Sequence, residues 1–351
     1  MQTPMASHTN KTPLFGKTLR QIEAVVHTHG WPGYVAKQLA RWMYHQHVTE
    51  FSPMTNISAQ IRTDLAQHYH LDAFQPVDVK TSKDGTKKYV FPVQSKGFIE
   101  AAYIPDGDRH TLCVSTQLGC RMGCHFCMTG KQGFQCNLTA GEILNQIRSL
   151  PERELLTNIV YMGMGEPLDN PTAVMDSLSI LSEQWGYAMS PRRITLSSIG
   201  ILPALNDFLE NSKAHLAISL HSPFREEREA LMPATKKHPL EQIIESIARC
   251  PVEKQRRISF EYIVFKDLNH SPLHVKALVR MLGGIRCRIN LLRFHQIPHS
   301  PLQSPDNKQM ELFRDALQDK GLRATIRTSR GEDIQAACGL LSTQHAGAIT
   351  P

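Results

Sequence analysis

The sequence predicts an α/β protein built around a mostly parallel sheet, preceded by a small helical module. Three observations carry this. From about residue 110 to 330, strand-like apolar runs alternate with helix-like amphipathic runs, and repeated βα units imply a parallel sheet covered by helices. Residues 18–75 are helical in pattern throughout. Between the two, residues 77–118 change to short strand-like runs with a hairpin signal. The βα count alone leaves an open sheet, an open barrel and a full barrel all in play.

In the first module, "TLRQIEAVVHTHG", "YVAKQLARWMYHQH" and "ISAQIRTDLAQHY" place apolar residues at helical spacing, with Trp42, Met43 and Tyr44 as core candidates. Residues 1–15 are expected to be a loose tail. In the connector, "VDVKTSKDGTKKYVFPV" reads as two strands joined around Asp84-Gly85. "GFIEAAYIP" and "TLCVSTQLG" are further strands, and Glu100 stands alone among apolar and small neighbours. The later strands are "LCVSTQ", "NIVYMG", "RITLSSIG", "HLAISLH", "ISFEYIVF", "RCRINLLRF" and "LRATIRTS". The helices are "TAGEILNQIRSL", "PTAVMDSLSILSEQWG", "HPLEQIIESIA", "PLHVKALVRMLGG" and "DNKQMELFRDALQDKG". Thr139 and Glu142 form a capping box at the first of these. Polar and glycine-rich segments follow the strands, where such sheets bind ligands.

The 351 residues carry 39 basic and 32 acidic side chains, a formal charge of +7. That excess favours a polyanionic partner without establishing one. No apolar run approaches the roughly 18 residues needed to span a bilayer, and the N-terminus lacks the apolar core of a secretory signal. A reducing cytoplasmic setting is expected, so eight cysteines, five of them between Cys113 and Cys136, point to metal or redox chemistry rather than to structural disulfides.

The stretch "GCRMGCHFCMTGKQGF" holds Cys120, Cys124 and Cys127 in a C-x3-C-x2-C array between a strand and a helix. Zinc would require a fourth ligand, for which His125 or Cys136 is available. Three thiolates in one loop also suit a [4Fe-4S] cluster with one iron left open to a small molecule. With Phe126 directly before the last cysteine, the array is the signature of the radical SAM superfamily. Together with "YMGMGEPLDN", "ITLSSIG", "AISLHSP" and "SRGEDIQAACG", it resembles the RlmN/Cfr family of RNA adenine methyltransferases over residues 16–342.

That resemblance implies a radical SAM partial (β/α) barrel over residues 110–342, an RNA-binding helical accessory domain over 16–75, a β-hairpin connector over 76–109 and a short tail over 343–351. It implies one [4Fe-4S] cluster on the three cysteines and S-adenosyl-L-methionine, two molecules per methylation. In the family, the glycine-rich motif matching Gly163, Gly165, Glu166 and Pro167 binds the methionyl amino group, Glu166 being its carboxylate. Ser197 and Ser198 match contacts to ribose or carboxylate, and Ser219 and His221 lie on the same face. Strand-end capping is the plainer reading of the serines. His295 stands where the family carries a SAM-contacting asparagine, and a histidine also offers a donor and an acceptor. Asn290 matches an earlier asparagine of the motif.

The family chemistry implies that Cys338 is the methyl carrier. Cys113, seven residues before Cys120, would be the resolving thiol that closes a transient disulfide with Cys338. Glu100, thirteen residues before Cys113, would be a proton-transfer group. Cys136, Cys250 and Cys287 are expected to be ordinary thiols. The implied partners are 23S rRNA at adenine-2503, with adenine-37 of tRNA as a further substrate in some members, and an electron donor such as flavodoxin or ferredoxin; a monomer is expected. Lys37, Arg41, Lys87, Lys88 and Lys131 are candidate RNA contacts. The amino-terminal and cluster segments look like the C2-methylating branch. The alternatives are the C8-directed branch, a non-methylating radical SAM enzyme and a metal-stabilised RNA-binding module.

Overall fold

A computed structural model describes residues 11–93, 97–250 and 256–343. The expected C-terminal tail lies almost wholly outside these residues, as does most of the expected N-terminal one. The chain enters the core earlier than the expected boundary at residue 15. β1 (Thr12–Pro13) pairs in parallel with β2 (Tyr69–His70), and Leu14 and Phe15 are buried directly after it.

Three helices follow: α1 (Leu19–Thr28), α2 (Tyr34–Tyr44) and α3 (Ala59–His68). Thr18 and Gln21 close a capping box on α1, satisfying N–H groups that the first turn leaves without partners. α2 buries Val35, Ala36, Leu39, Ala40, Met43 and Tyr44, one stripe at helical spacing. Its buried tyrosine keeps its hydroxyl satisfied by donating to Lys17 O at 2.6 Å. The module docks on the sheet body through Gln21 Nε2 to Asp176 Oδ2 at 3.0 Å and an edge-on contact of Tyr44 with Trp185.

The body is one ten-stranded sheet. Its strands are β3 (Asp78–Thr81), β4 (Lys87–Val93), β5 (Gly97–Asp106), β6 (Arg109–Cys113), β9 (Asn158–Tyr161), β10 (Ile194–Ser198), β11 (His215–Ser219), β12 (Ile258–Val264), β13 (Cys287–Arg293) and β14 (Ala324–Ile326). The spatial order is β14-β13-β12-β11-β10-β9-β6-β5-β4-β3. From β6 to β14 all neighbours are parallel, whereas β6-β5-β4-β3 is an antiparallel meander. The sheet is a partial barrel whose first edge is extended by the connector strands. The hairpin turns at Asp84-Gly85 as expected, with Gly85 at φ 84°.

Helices α5 (Ala140–Arg148), α6 (Pro171–Ser182), α7 (Leu202–Asn211), α8 (Arg225–Leu231), α9 (Leu240–Arg249), α10 (Pro272–Leu282) and α11 (Asn307–Asp319) fill the crossovers. α5 begins with the expected box, Thr139 and Glu142 bonding each other's backbone N–H. A short helix, α4 (Met128–Gln132), and the small pair β7 (Gln117–Leu118) and β8 (Cys136–Asn137) flank the cysteine loop. Every residue of β12 is buried, as befits a central parallel strand covered on both faces. Among the described residues no helix is long and apolar enough to cross a membrane.

After β14 the chain folds back over the C-terminal ends of the strands. It is held there by Gly331 N to Asp84 Oδ2 at 2.9 Å, Met128 N to Gly339 O at 2.8 Å and Thr129 Oγ1 to Leu341 O at 2.7 Å. This return stretch carries Cys338, so the topology brings the last cysteine of the sequence over the loop of Cys120, Cys124 and Cys127.

Candidate functional site

Cys120, Cys124 and Cys127 lie on the loop between β7 and α4 and open on one cavity at the C-terminal ends of the strands. Burial pushes the Cys120 thiol up to about 12 and the Cys124 thiol well above its ordinary value, and the neighbouring sulfurs push in the same direction. Such thiols become thiolate ligands only when a cation compensates the charge. The guanidinium of Arg228, buried and donating to Ile199 O at 2.8 Å and Ser219 O at 3.1 Å, opposes the rise at Cys124. Among the described residues no three His, Cys, Asp or Glu side chains converge as ligands of one metal ion do. His125 and Cys136, the candidate fourth ligands for zinc, stand apart from this cavity: His125 lines a different groove with Lys131 and His299, and Cys136 lies in β8 opposite Leu118 of β7. Three thiols on the wall of one cavity fit a cluster, where each sulfur holds a different iron.

The same cavity is lined by Gly165, Glu166, Ser197, Ser198, Ser219 and His221. Gly165 sits at φ 99°, and a Cβ there would lie 2.6 Å from that of Gln117, so only glycine fits this approach. Glu166 is buried, and burial raises its carboxyl to about 7 against the opposing bonds from Ser198 and from the N–H groups of Ile199 and Leu168, each 3.0 Å away. It is poised between its two charge states at neutral pH. His221 adopts a left-handed φ of 58°, and burial followed by Arg228 lowers it to about 3. Its Nδ1 accepts the Ile263 N–H at 2.9 Å, so the neutral ring carries its proton on Nε2 as a free donor. The ring is held edge-on against Phe126, the aromatic of the cysteine motif.

A second cavity of about 370 Å³ adjoins the first and contains Cys113, Arg109, Arg293, His295, Arg327 and Arg330. Cys338, Cys127 and Arg327 line both. Burial, then Cys338, pushes the Cys113 thiol up to about 12; desolvation by the surrounding wall also raises Cys338, although the residue is exposed on the cavity, with Arg327 opposing. The expected Cys113–Cys338 disulfide is absent as a resident feature, because all eight cysteines are free thiols. Closing the bond removes two electrons and two protons, and two protonated thiols facing one cavity do not do so unaided.

The structure separates two expected site residues from the rest. His295 lines the second cavity and is not among the lining of the first. Its ring is held by Ser329 Oγ at 3.2 Å from Nε2 and by Glu332, 3.3 Å from Nδ1, which draws it toward the return segment. Glu100 lines neither cavity; it is buried against Lys88 Nζ at 3.0 Å, and its other oxygen accepts the N–H of Ser342 at 3.0 Å. Lys88 is correspondingly removed from the RNA candidates, and Lys87 is paired with Glu152 at 2.6 Å. Lys37 and Arg41 remain exposed on α2.

Sequence reading missed Glu261, Arg228 and Arg327. Glu261 lies in β12 on the first cavity, where its Oε1 accepts from Asn290 Nδ2 at 2.7 Å and Ser259 Oγ at 3.0 Å. Its Oε2 has no hydrogen-bond partner among the described residues, with Arg327 Nη1 3.6 Å away. The signal was available: a lone carboxylate inside the apolar run "ISFEYIVF" is costly unless something polar meets it.

Comparison with known proteins places this geometry. A model described as the Radical SAM superfamily matches residues 114–277, and one described as the ribosomal RNA large subunit methyltransferase N-terminal domain matches residues 12–71. A Parabacteroides distasonis protein named probable dual-specificity RNA methyltransferase RlmN is 53% identical over 334 residues, covering 95% of this chain and 97% of its own. A Pseudomonas entomophila protein named dual-specificity RNA methyltransferase RlmN is 38% identical, with 97% and 93% coverage. The crystal structure of a radical SAM methyltransferase from Sphaerobacter thermophilus superposes with a TM-score of 0.86 at 36% identity, covering 95% of this chain and all of that one.

Proposed function

We propose a function from the premise that this chain belongs to the RlmN family of radical SAM RNA methyltransferases: it methylates C2 of an adenine in 23S rRNA, and the corresponding carbon of a tRNA adenine. The observation that carries this reading is the place of Cys338 on the wall shared by two cavities. One cavity has the donor set for a cluster and its bound cosubstrate; the other has the second thiol and a cationic lining.

Cys120, Cys124 and Cys127 would hold the [4Fe-4S] cluster. When bound, the cluster with SAM supplies the one-electron chemistry that an unreactive aromatic carbon requires, its electron coming from a small redox protein. Glu166 accepts hydrogen bonds from the ammonium of the methionyl group, backed by the Ser198 hydroxyl and two backbone N–H groups that fix its carboxylate. The Nε2–H of His221 and the hydroxyls of Ser197 and Ser219 complete the polar wall. Gly165 admits the ligand to backbone distance.

Cys338 is the nucleophile that accepts the methyl group: a sulfur–carbon bond forms at Cys338 as the donor sulfonium loses its methyl, and the thiol proton leaves to solvent. Arg327 lines the wall beside it and favours the thiolate. Cys113 is the thiol that releases the modified base: its sulfur bonds to that of Cys338 as the bond between Cys338 and the base's methyl carbon breaks, and that carbon leaves with the electron pair and a proton. Its burial excludes water from that step and keeps the thiol protonated until then. The target adenine reaches this cavity only if extruded from any stack.

Anaerobic reconstitution followed by nucleoside analysis of treated 23S rRNA fragments and tRNA tests the proposal. The expected product is 2-methyladenosine from both RNAs, separated by chromatography from its 8-methyl isomer of equal mass. Exclusive 8-methyladenosine, or 5'-deoxyadenosine without methylated RNA, would overturn it.

A further inference from the structure

The second cavity is lined by four arginines against one carboxylate. Three of the four are already engaged. Arg330 pairs with Asp106 at 2.6 Å, Arg109 Nε donates to Thr111 Oγ1 at 3.3 Å, and Arg327 lies 3.6 Å from Glu261. Arg293, half-buried at the end of β13, has no ion pair or side-chain hydrogen bond to any described residue. A guanidinium held part-way out of water with no anion beside it is incomplete: it loses hydration and gains nothing in return.

We propose that Arg293 binds a phosphodiester flanking the extruded nucleotide, making it a substrate-binding residue of the second cavity. This rests on the reading of that cavity as the place where the base meets Cys338. A base entering toward Cys113 and Cys338 brings its own anions, the phosphates covalently attached on either side. Arginine's planar fork matches two phosphate oxygens at once, and the one carboxylate of this wall, Asp106, is already paired with Arg330. The cavity volume of about 370 Å³ lies within the range that small ligands occupy. His295, next but one along the chain, faces the same cavity, its ring tied back to Ser329 and Glu332. The ring is thereby occupied, and Arg293 is the open cation at this strand end.

The test is a salt series of fluorescence anisotropy with a labelled 23S rRNA hairpin fragment on the cluster-loaded protein, comparing wild type with Arg293→Gln, Arg293→Lys and Lys320→Gln. Lys320 is exposed at the end of α11 and does not line the cavity, so it removes the same charge elsewhere. Arg293→Gln should bind about tenfold more weakly, and its log–log salt slope should fall by roughly 0.7, one phosphate contact on a single strand. Arg293→Lys should restore the slope, while Lys320→Gln keeps both slope and affinity. Equal iron and sulfide content in all four proteins establishes that the variants are folded. Arg293-dependent binding in a protein that forms no methyladenosine would leave this contact standing and remove the methylation reading. Methylation with binding and slope unchanged in Arg293→Gln, or an equal loss in Lys320→Gln, would overturn the contact.

Discussion

Lys88 Nζ lies 3.0 Å from the Glu100 carboxylate in an ion pair from which solvent is almost wholly excluded, each side chain being 2% exposed. The pair sits beneath the return segment, with Lys88 Nζ also 3.4 Å from Gln335 O and Glu100 Oε2 accepting the Ser342 N–H. Cys338 lies between those two anchor points. Glu100→Gln should therefore cost about 3–5 kcal/mol, because it strands a buried ammonium. Urea unfolding reads this directly. Unchanged stability with lost methylation would instead favour a proton-transfer role for Glu100.

Serine at Cys120, Cys124 or Cys127 should each remove most bound iron and sulfide, since a hydroxyl is a poor substitute for a thiolate. Iron and sulfide analysis, with electron paramagnetic resonance after reduction, checks the outcome. Full cluster content in all three variants would remove these residues from the ligand set.

Cys113→Ala should permit attack on RNA and block release. A covalent protein–RNA species should then accumulate on denaturing gels of labelled RNA, with cluster content equal to wild type. Multiple turnovers without an adduct would deny Cys113 the release role.

Gly165→Ala meets two obstacles, a φ of 99° and the Gln117 side chain. It should destabilise the protein by about 1–3 kcal/mol and weaken SAM binding. Equilibrium dialysis with SAM on the loaded protein is the readout, and wild-type affinity would show that the loop does not approach the ligand.

His215, remote from the cysteine loop at the start of β11, is lowered to about 4 by burial and then by Arg257, and its Nδ1 accepts the Arg257 N–H at 2.9 Å. Because its folded value lies below the unfolded one near 6.5, the unfolded chain binds the extra proton between them. Stability is therefore full above about pH 6.5 and falls as pH drops toward 4. Unfolding midpoints of His215→Gln should fall less steeply across that window than those of wild type. Parallel curves would contradict the assignment.

Much of this was legible in the sequence because it is local. The seven strands and five helices placed from periodicity all occur, and Thr139 with Glu142 caps α5 as read. α7 was not read, although Leu205, Phe208 and Leu209 are spaced along one face. Its proline, Pro203, stands in the first turn, where a helix tolerates one. The cysteine array was read from its spacing, its place between a strand and a helix, and its resemblance to a known family. That Glu100 and His295 stand apart from the first cavity has another cause: each is drawn to partners more than thirty residues away, Ser342 and Ser329. No local pattern encodes those contacts. Lys88 was unreadable for a different reason: its carboxylate is on the neighbouring strand, and an alternating strand does not reveal which charged residue faces it.

The most direct test of the account loads Cys338 with an isotopically labelled methyl group, removes free SAM, adds unlabelled SAM and reductant, and follows one turnover on 23S rRNA. The labelled carbon should leave the peptide containing Cys338 and appear at C2 of adenine in the RNA. Unlabelled 2-methyladenosine, with the label still on Cys338, would contradict the claim that this cysteine carries the methyl carbon between the two cavities.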